Sequence, residues 1–307
     1  MATVHLGIDL GGTNTKWAVV SGRGSDWQAV DQGQVATRAE NGPSALVERL
    51  GDVARQQVAR HPSVASVGIG VPGPYDPMAG TVRDLTNFPG DWNGIAIGPT
   101  IRAAVELPTA LINDARAFGL GELRIGAGRG AWSLVGLTLG TGLGGVIAID
   151  GTVLQGHDGS AGELGHQTIE ADGPSCNCGN NGCLEAYVRA DRLAEACGAP
   201  TVEVAIARAR NGDATALAGL ARAGRYLGIG LANVITLVTP DRVVIGGGNG
   251  TAAFDLLIQP INHELRRRVT MTDLDQVEIV PAELGIWAGA IGAAIHGAET
   301  SSPKGED

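Results

Sequence analysis

The sequence predicts an α/β protein of two domains, and three observations point there. Short apolar runs of strand length alternate with segments of helical pattern. Glycine, at 48 of 307 residues, clusters after the apolar runs without the every-third spacing of a collagen. The stretch VHLGIDLGGTNTKWAVV (residues 4–20) is echoed by SLVGLTLGTGLGGVIAI (residues 133–149), and each reads strand, Gly-Thr turn, strand. A hairpin repeated at the start of each half implies two related domains around a central cleft, 1–114 and 115–285.

Residues 4–10 are a nearly continuous apolar run, read as a buried strand with 16–20 as its partner and GGTNT as the turn. Pro43 opens a helix to about Arg60, at a first-turn position where its missing N–H costs nothing. Residues 64–71 form the next strand, stopped by Pro72-Gly73. The stretch 74–93 is a long loop rich in Pro, Asp, Asn and Gly, a length that usually serves a function. A short helix near 95–105, a strand at 108–112 and a helix at 115–125 follow. The second half opens with a strand at 132–139, the turn 140–145 and a return strand at 146–150. A polar loop holding three cysteines leads into helices as far as Leu237. A strand at 242–245, a helix near 251–268 and a strand at 277–280 come next. The last apolar helix, about 286–297, is expected to pack back on the first domain, and 298–307 reads as a polar tail.

Composition narrows the function classes. A formal net charge of -10 repels a phosphate polyanion, so nucleic acid is not an expected partner. ATP remains compatible, because backbone dipoles and a metal ion do the binding locally. The chain has no apolar run of transmembrane length and lacks a basic stretch, apolar run and cleavage site at its start. A cytoplasmic protein with no membrane partner is expected.

Five motifs carry chemistry. In Asp9-Leu10-Gly11-Gly12-Thr13-Asn14-Thr15-Lys16 the glycines let backbone N–H groups approach phosphate oxygens, and Asp9 can hold Mg²⁺ through water. Read without chemistry, it is a tight hairpin with a capping Asp. Gly140-Thr141-Gly142-Leu143-Gly144-Gly145 supplies a second such turn, and the two together read as a phosphate clamp. Gly246-Gly247-Gly248 follows an apolar strand and reads either as an ordinary strand-to-helix turn or as a place where a flat ring lies against the backbone, the adenosine side of the site. Asn113-Asp114, at a strand end, reads either as a helix N-cap or as a general base that takes a proton from an attacking hydroxyl. Lastly, His166 with Cys176, Cys178 and Cys183 offers one imidazole and three thiolates, a closed tetrahedral shell for structural Zn²⁺. That loop would fix Glu163 and Glu185, whose carboxylates can accept hydrogen bonds from sugar hydroxyls. Cys197 lies outside it, on a helix, as a packing residue.

In this order the motifs resemble the ROK family (repressors, open reading frames and kinases) of the actin/hexokinase-like ATPases. The resemblance rests on Asp-x-Gly-Gly-Thr from Asp9 and Leu-Gly-Thr-Gly-x-Gly-Gly from Leu139. It continues through Glu-x-Gly-His from Glu163, Cys-x-Cys-Gly-x-x-Gly-Cys-x-Glu from Cys176, and the triple glycine ending at Gly248. It implies two ribonuclease-H-like domains that close around ATP and a sugar. It makes Asp114 the base, with Gly73, Asn87, Asn113, Glu163, His166 and Glu185 on the sugar. His166 would both ligate zinc and face the sugar. Asp9, Gly11, Gly12, Thr13, Asn14, Lys16, Gly140, Thr141, Gly142, Gly144, Gly246, Gly247 and Gly248 would line ATP and its Mg²⁺. The implied reaction is transfer of the γ-phosphate to a hexose, glucose first, in a homodimer or homotetramer. Fructose, mannose, an N-acetylated amino sugar, polyphosphate as donor, and a non-catalytic sugar sensor are the alternatives. Repressors of the family carry a helix-turn-helix ahead of the ATPase core, for which a phosphate motif at residue 9 is expected to leave no room.

Overall fold

The computed structural model describes residues 3–85 and 88–301. In chain order the elements begin β1 (Val4–Leu10), β2 (Asn14–Arg23), β3 (Asp26–Ala36), α1 (Pro43–Arg60), β4 (Val64–Val71), β5 (Tyr75–Asp76) and β6 (Thr81–Val82). There follow α2 (Ile97–Val105), β7 (Thr109–Asn113), α3 (Asp114–Arg124), β8 (Ser133–Leu139), β9 (Leu143–Ile149) and β10 (Thr152–Val153). The chain continues through α4 (Glu185–Val188), α5 (Ala190–Ala196), α6 (Val202–Arg210) and α7 (Ala214–Val238). It ends with β11 (Arg242–Gly246), α8 (Gly247–Arg268), β12 (Glu278–Pro281) and α9 (Ala288–Ser301). No described helix is long and apolar enough to cross a membrane.

The chain forms two compact units. The first comprises 1–130, 155–161 and 286–307. Its sheet runs β3-β2-β1-β4-β7, with β2 antiparallel to both neighbours and β1, β4 and β7 mutually parallel. Leu6, Ile8, Leu10, Val67, Ile69 and Val71 are nearly solvent-free and meet the apolar stripe of α1 (Leu46, Leu50, Val53), which recurs at helical spacing. α9 packs against β1, β4 and α3. Its sequence, AGAIGAAIHGA, is apolar all round because it is enclosed on every side. The contact is close enough that a Cβ at Gly68 would overlap the Ala293 carbonyl, and one at Gly292 the Ala117 carbonyl.

The expected division after 114 falls one residue into α3. In the structure α3 packs along α9, and the first unit extends to Gly130. Residues 298–301 of the expected tail are helical instead, since α9 continues to Ser301, and 302–307 lie outside the described residues.

The second unit comprises 131–154 and 162–285. Its sheet runs β10-β9-β8-β11-β12, and the directions repeat those of the first sheet strand for strand. The repeated hairpin therefore heads two copies of one topology, and the α/β expectation with two related domains is met. The core joins β8 and β11 to α7 and α8 through Leu137, Val243, Ile245, Leu227, Ile235, Leu257 and Ile261.

Candidate active site and metal centre

In the first unit the parallel strands deliver their polar residues to one edge. Asp9, at the end of β1, pairs with Gly70 of β4, and Val71 pairs with Asn113 at the end of β7. The carboxyl ends of parallel strands are where α/β sheets place ligands. With strands ~4.8 Å apart, β1 and β7 bring Asp9 and Asn113 to within roughly 10 Å along that edge. Gly73 makes the turn after β4 with φ 96°.

Asn113 settles the capping question. Its Oδ1 accepts the N–H groups of Ala115 at 3.1 Å and Arg116 at 3.2 Å, so Asn113 is the N-cap of α3. Asp114 is then the first helical residue, half-buried, with a carboxylate that accepts the Ala115 N–H. Asn113 is itself buried, and its side-chain carbonyl is committed to the cap.

The Gly11–Thr13 turn is braced from behind. The Thr37 hydroxyl donates to the Gly11 carbonyl at 2.6 Å, and the Thr37 N–H donates to the Thr13 carbonyl at 2.9 Å. Gly12 and Thr13 are exposed. Asp9 is half-buried beside Gly289 of α9, where a Cβ would crowd its carboxylate. Burial raises the Asp9 carboxyl, and the Lys16 ammonium, at 3.6 Å, pulls it back.

The second unit repeats the arrangement. β8 ends in the Gly140–Gly145 turn, and β11 ends in Gly246, which pairs with Thr138. Asn249 Nδ2 donates to the Gly140 carbonyl at 3.3 Å, fixing the start of α8 against the turn. α8 begins at Gly247, earlier than the expected 251, so its first N–H groups open beside the turn.

Glycines 12, 140 and 248 share a property. None has a left-handed φ, and a Cβ built on any of them meets nothing within 4 Å. Neither turn geometry nor packing requires glycine there, and the bare backbone is open to approach from outside.

The His/Cys cluster forms in the second unit, as a group that could hold a metal ion. One ligand atom from each of His166, Cys176, Cys178 and Cys183 lies within 4.8 Å of all the others. Cys178 Sγ and Cys183 Sγ are 3.7 Å apart, as are Cys176 Sγ and His166 Nδ1. Thiolates sharing a tetrahedral zinc at about 2.3 Å stand ~3.8 Å apart, so these residues fit the ion. With Nδ1 turned to the cluster, the Nε2 of His166 is left to other partners. Burial raises the Cys176 thiol and pushes Cys183 up to about 12, with the neighbouring thiols adding to it, while the Asn180 N–H lowers Cys178. A cation at the centre displaces those protons. The loop is tied down by Arg189 Nη1 to Asn177 at 2.8 Å and Asn180 to Thr168 at 3.0 Å.

Glu163 precedes, and His166 ends, a 3₁₀ turn (Leu164–His166) that lies on β9, where a Cβ at Gly165 would overlap the Leu143 carbonyl. Glu163 is exposed. Glu185 accepts the Leu143 N–H at 2.8 Å. The second unit thus joins the Gly140 turn, Gly246–Gly248, Glu163, His166, Glu185 and the cysteines. The first unit joins Asp9, Gly11 to Lys16, Gly73, Asn113 and Asp114. Asn87 lies outside the described residues.

Three supporting residues escape a reading of the sequence. Arg116, fully buried one turn into α3, donates Nε and Nη2 to the Ala161 carbonyl at 2.9 and 2.7 Å and holds 155–161 in the first unit. Thr37 and Asn249 brace the two glycine turns. A polar residue just after a glycine triplet was the one available signal, at Asn249.

A family model described as the ROK family matches residues 5–298. A glucokinase of Thermotoga maritima is 35% identical, over 94% of this chain and 95% of its own. The crystal structure of a ROK hexokinase from Thermus thermophilus superposes with TM-score 0.84 and 32% identity, over 97% of this chain and 99% of that one. A ROK family glucokinase from Streptomyces griseus, in complex with glucose and AMPPNP, gives TM-score 0.82 and 29% identity over 96% and 99%.

Proposed function

The chain belongs to the ROK family, and on that premise we propose that it transfers the γ-phosphate of ATP to the 6-hydroxyl of glucose. The observation that carries the proposal is the trio Gly12, Gly140 and Gly248. Each is a backbone position kept bare, for no reason of the fold, in a motif suited to phosphate or adenine. The similarity to glucokinases, and to one that binds glucose with an ATP analogue, supports the choice of substrates.

Asp114 is the base. It accepts the hydroxyl proton while the sugar oxygen attacks the γ-phosphorus, the bond to the β-phosphate oxygen breaks, and ADP leaves. N–H groups of the two glycine turns and of the start of α8 donate to phosphate oxygens, and Lys16 adds a positive charge. Mg²⁺ that travels with ATP neutralises charge on the phosphates, and Asp9 is the residue that would hold it, through water. Glu163, His166 and Glu185 hold sugar hydroxyls. His166, Cys176, Cys178 and Cys183 hold one structural Zn²⁺ with no position left for water. Assembly as a homodimer or homotetramer belongs to the same reading.

A coupled assay with ATP over a panel of hexoses tests the activity, with glucose expected to be turned over most efficiently. Asp114→Asn is expected to lower kcat by about 10²–10⁴-fold while glucose still binds by calorimetry. Retained turnover refutes the base. For zinc, one equivalent per chain is expected in the purified protein, with a fall in Tm on chelation. A zinc-free, fully active enzyme refutes the metal centre.

A further inference from the structure

Glu185 makes two contacts that a sugar ligand does not need. Its Oε2 accepts the Leu143 N–H at 2.8 Å, inside the Gly140–Gly145 turn. Its Oε1 lies 3.8 Å from Sγ of the ligand Cys176. Gly142 is shaped around the same group, because a Cβ there would collide with Oε2. Leu143 is the last residue paired with β8, and Gly140 N–H to Gly142 carbonyl at 3.0 Å closes the turn above it. The Leu143 N–H therefore anchors the base of the turn to a carboxylate.

The metal loop fixes where that carboxylate stands. Glu185 follows Cys183 by two residues, with Leu184 between them, and both are solvent-free. α4 spans only Glu185–Val188, too short to orient its own first residue. A carboxylate has about four lone-pair positions, so one N–H bond leaves room for sugar hydroxyls. The metal loop and the phosphate turn thus share one side chain.

We propose that Glu185 is a positioning residue for the donor nucleotide, and that affinity for ATP depends on the metal loop through it. The proposal rests on the Gly140–Gly145 turn being a phosphate site. A residue that served the sugar alone would leave nucleotide binding without sugar unchanged.

The test is calorimetric binding of a non-hydrolysable ATP analogue with Mg²⁺ and no sugar, with zinc content measured for each protein. Glu185→Ala is expected to weaken binding about tenfold or more, the loss of a charge-assisted hydrogen bond. Glu185→Gln keeps an acceptor for Leu143 N–H and should stay within about threefold of the parent. Stripping zinc from the parent should weaken binding as Glu185→Ala does, and stripping Glu185→Ala should add nothing further. Undiminished binding by Glu185→Ala overturns the proposal, as does an equal effect of stripping on both proteins. So does a zinc-loaded Glu185→Gln as weak as Glu185→Ala, which also decides the matter if the Ala variant loses its metal. Gly140→Val separates this idea from the functional reading. If it binds the nucleotide normally, the turn is not a phosphate site and that reading fails. If it loses binding while Glu185→Ala keeps it, the coupling alone fails.

Discussion

Asp9 Oδ2 and Lys16 Nζ stand 3.6 Å apart, on residues directly paired across β1 and β2. Burial raises the carboxyl and the ammonium opposes it. Lys16→Met removes the opposing charge, so Asp9 takes up its proton at higher pH. The acidic limb of the kcat/KM profile for Mg-ATP should move to higher pH, and pH-rate profiles of the two proteins check this. An unmoved limb would separate Lys16 from the ionisation of Asp9.

Bare glycines and packed glycines should respond in opposite ways. A Cβ at Gly248 meets nothing, and alanine suits a helix better by about 0.5–1 kcal/mol. Gly248→Ala should keep or raise Tm while raising KM for ATP. A Cβ at Gly292 overlaps the Ala117 carbonyl. Gly292→Ala should lower stability by about 1–3 kcal/mol. Denaturant melts paired with steady-state kinetics separate the two effects.

His296 makes the first unit sensitive to acid. It is buried in α9, and desolvation pushes its imidazole down to about 4 against a backbone hydrogen bond with Leu111 that raises it. The unfolded imidazole titrates near 6.5. Between those values the unfolded chain binds more protons, so stability is lost as pH falls through that window, by roughly 3 kcal/mol in all. His296→Leu should flatten the dependence of Tm on pH between about 6.5 and 4. A curve that keeps the parent slope would assign the acid sensitivity to other groups.

The elements legible in the sequence were those with a local signature. β4 and β8 are apolar runs buried on both faces, and Pro43 marks the start of α1. The cluster of His166, Cys176, Cys178 and Cys183 was legible because a short loop rich in Gly and Asn has no packing use for three thiols. β3 was missed because DWQAVDQGQVA sends most side chains to solvent along a sheet edge and shows no apolar alternation. β2, read as 16–20, runs from Asn14 to Arg23 because β3 supports it on one side. β5 and β6, in the 74–93 loop, are two residues each and leave no periodicity to find. Arg116, Thr37 and Asn249 find their carbonyl partners 45, 26 and 109 positions away. No window along the chain contains both members of those pairs.

The place of α9 in the first unit sets an order of events during synthesis. β1 and β4 leave the ribosome early, yet the helix that covers Gly68 and borders Asp9 comes from residues 288–301, after every strand of the second unit. Domains generally fold as units while the chain emerges. Here the second unit can close first, and the one begun at residue 4 waits for its last helix. A released chain truncated before residue 288 should therefore hold a finished second unit and a first unit whose glycine-lined sheet face is still open to chaperones.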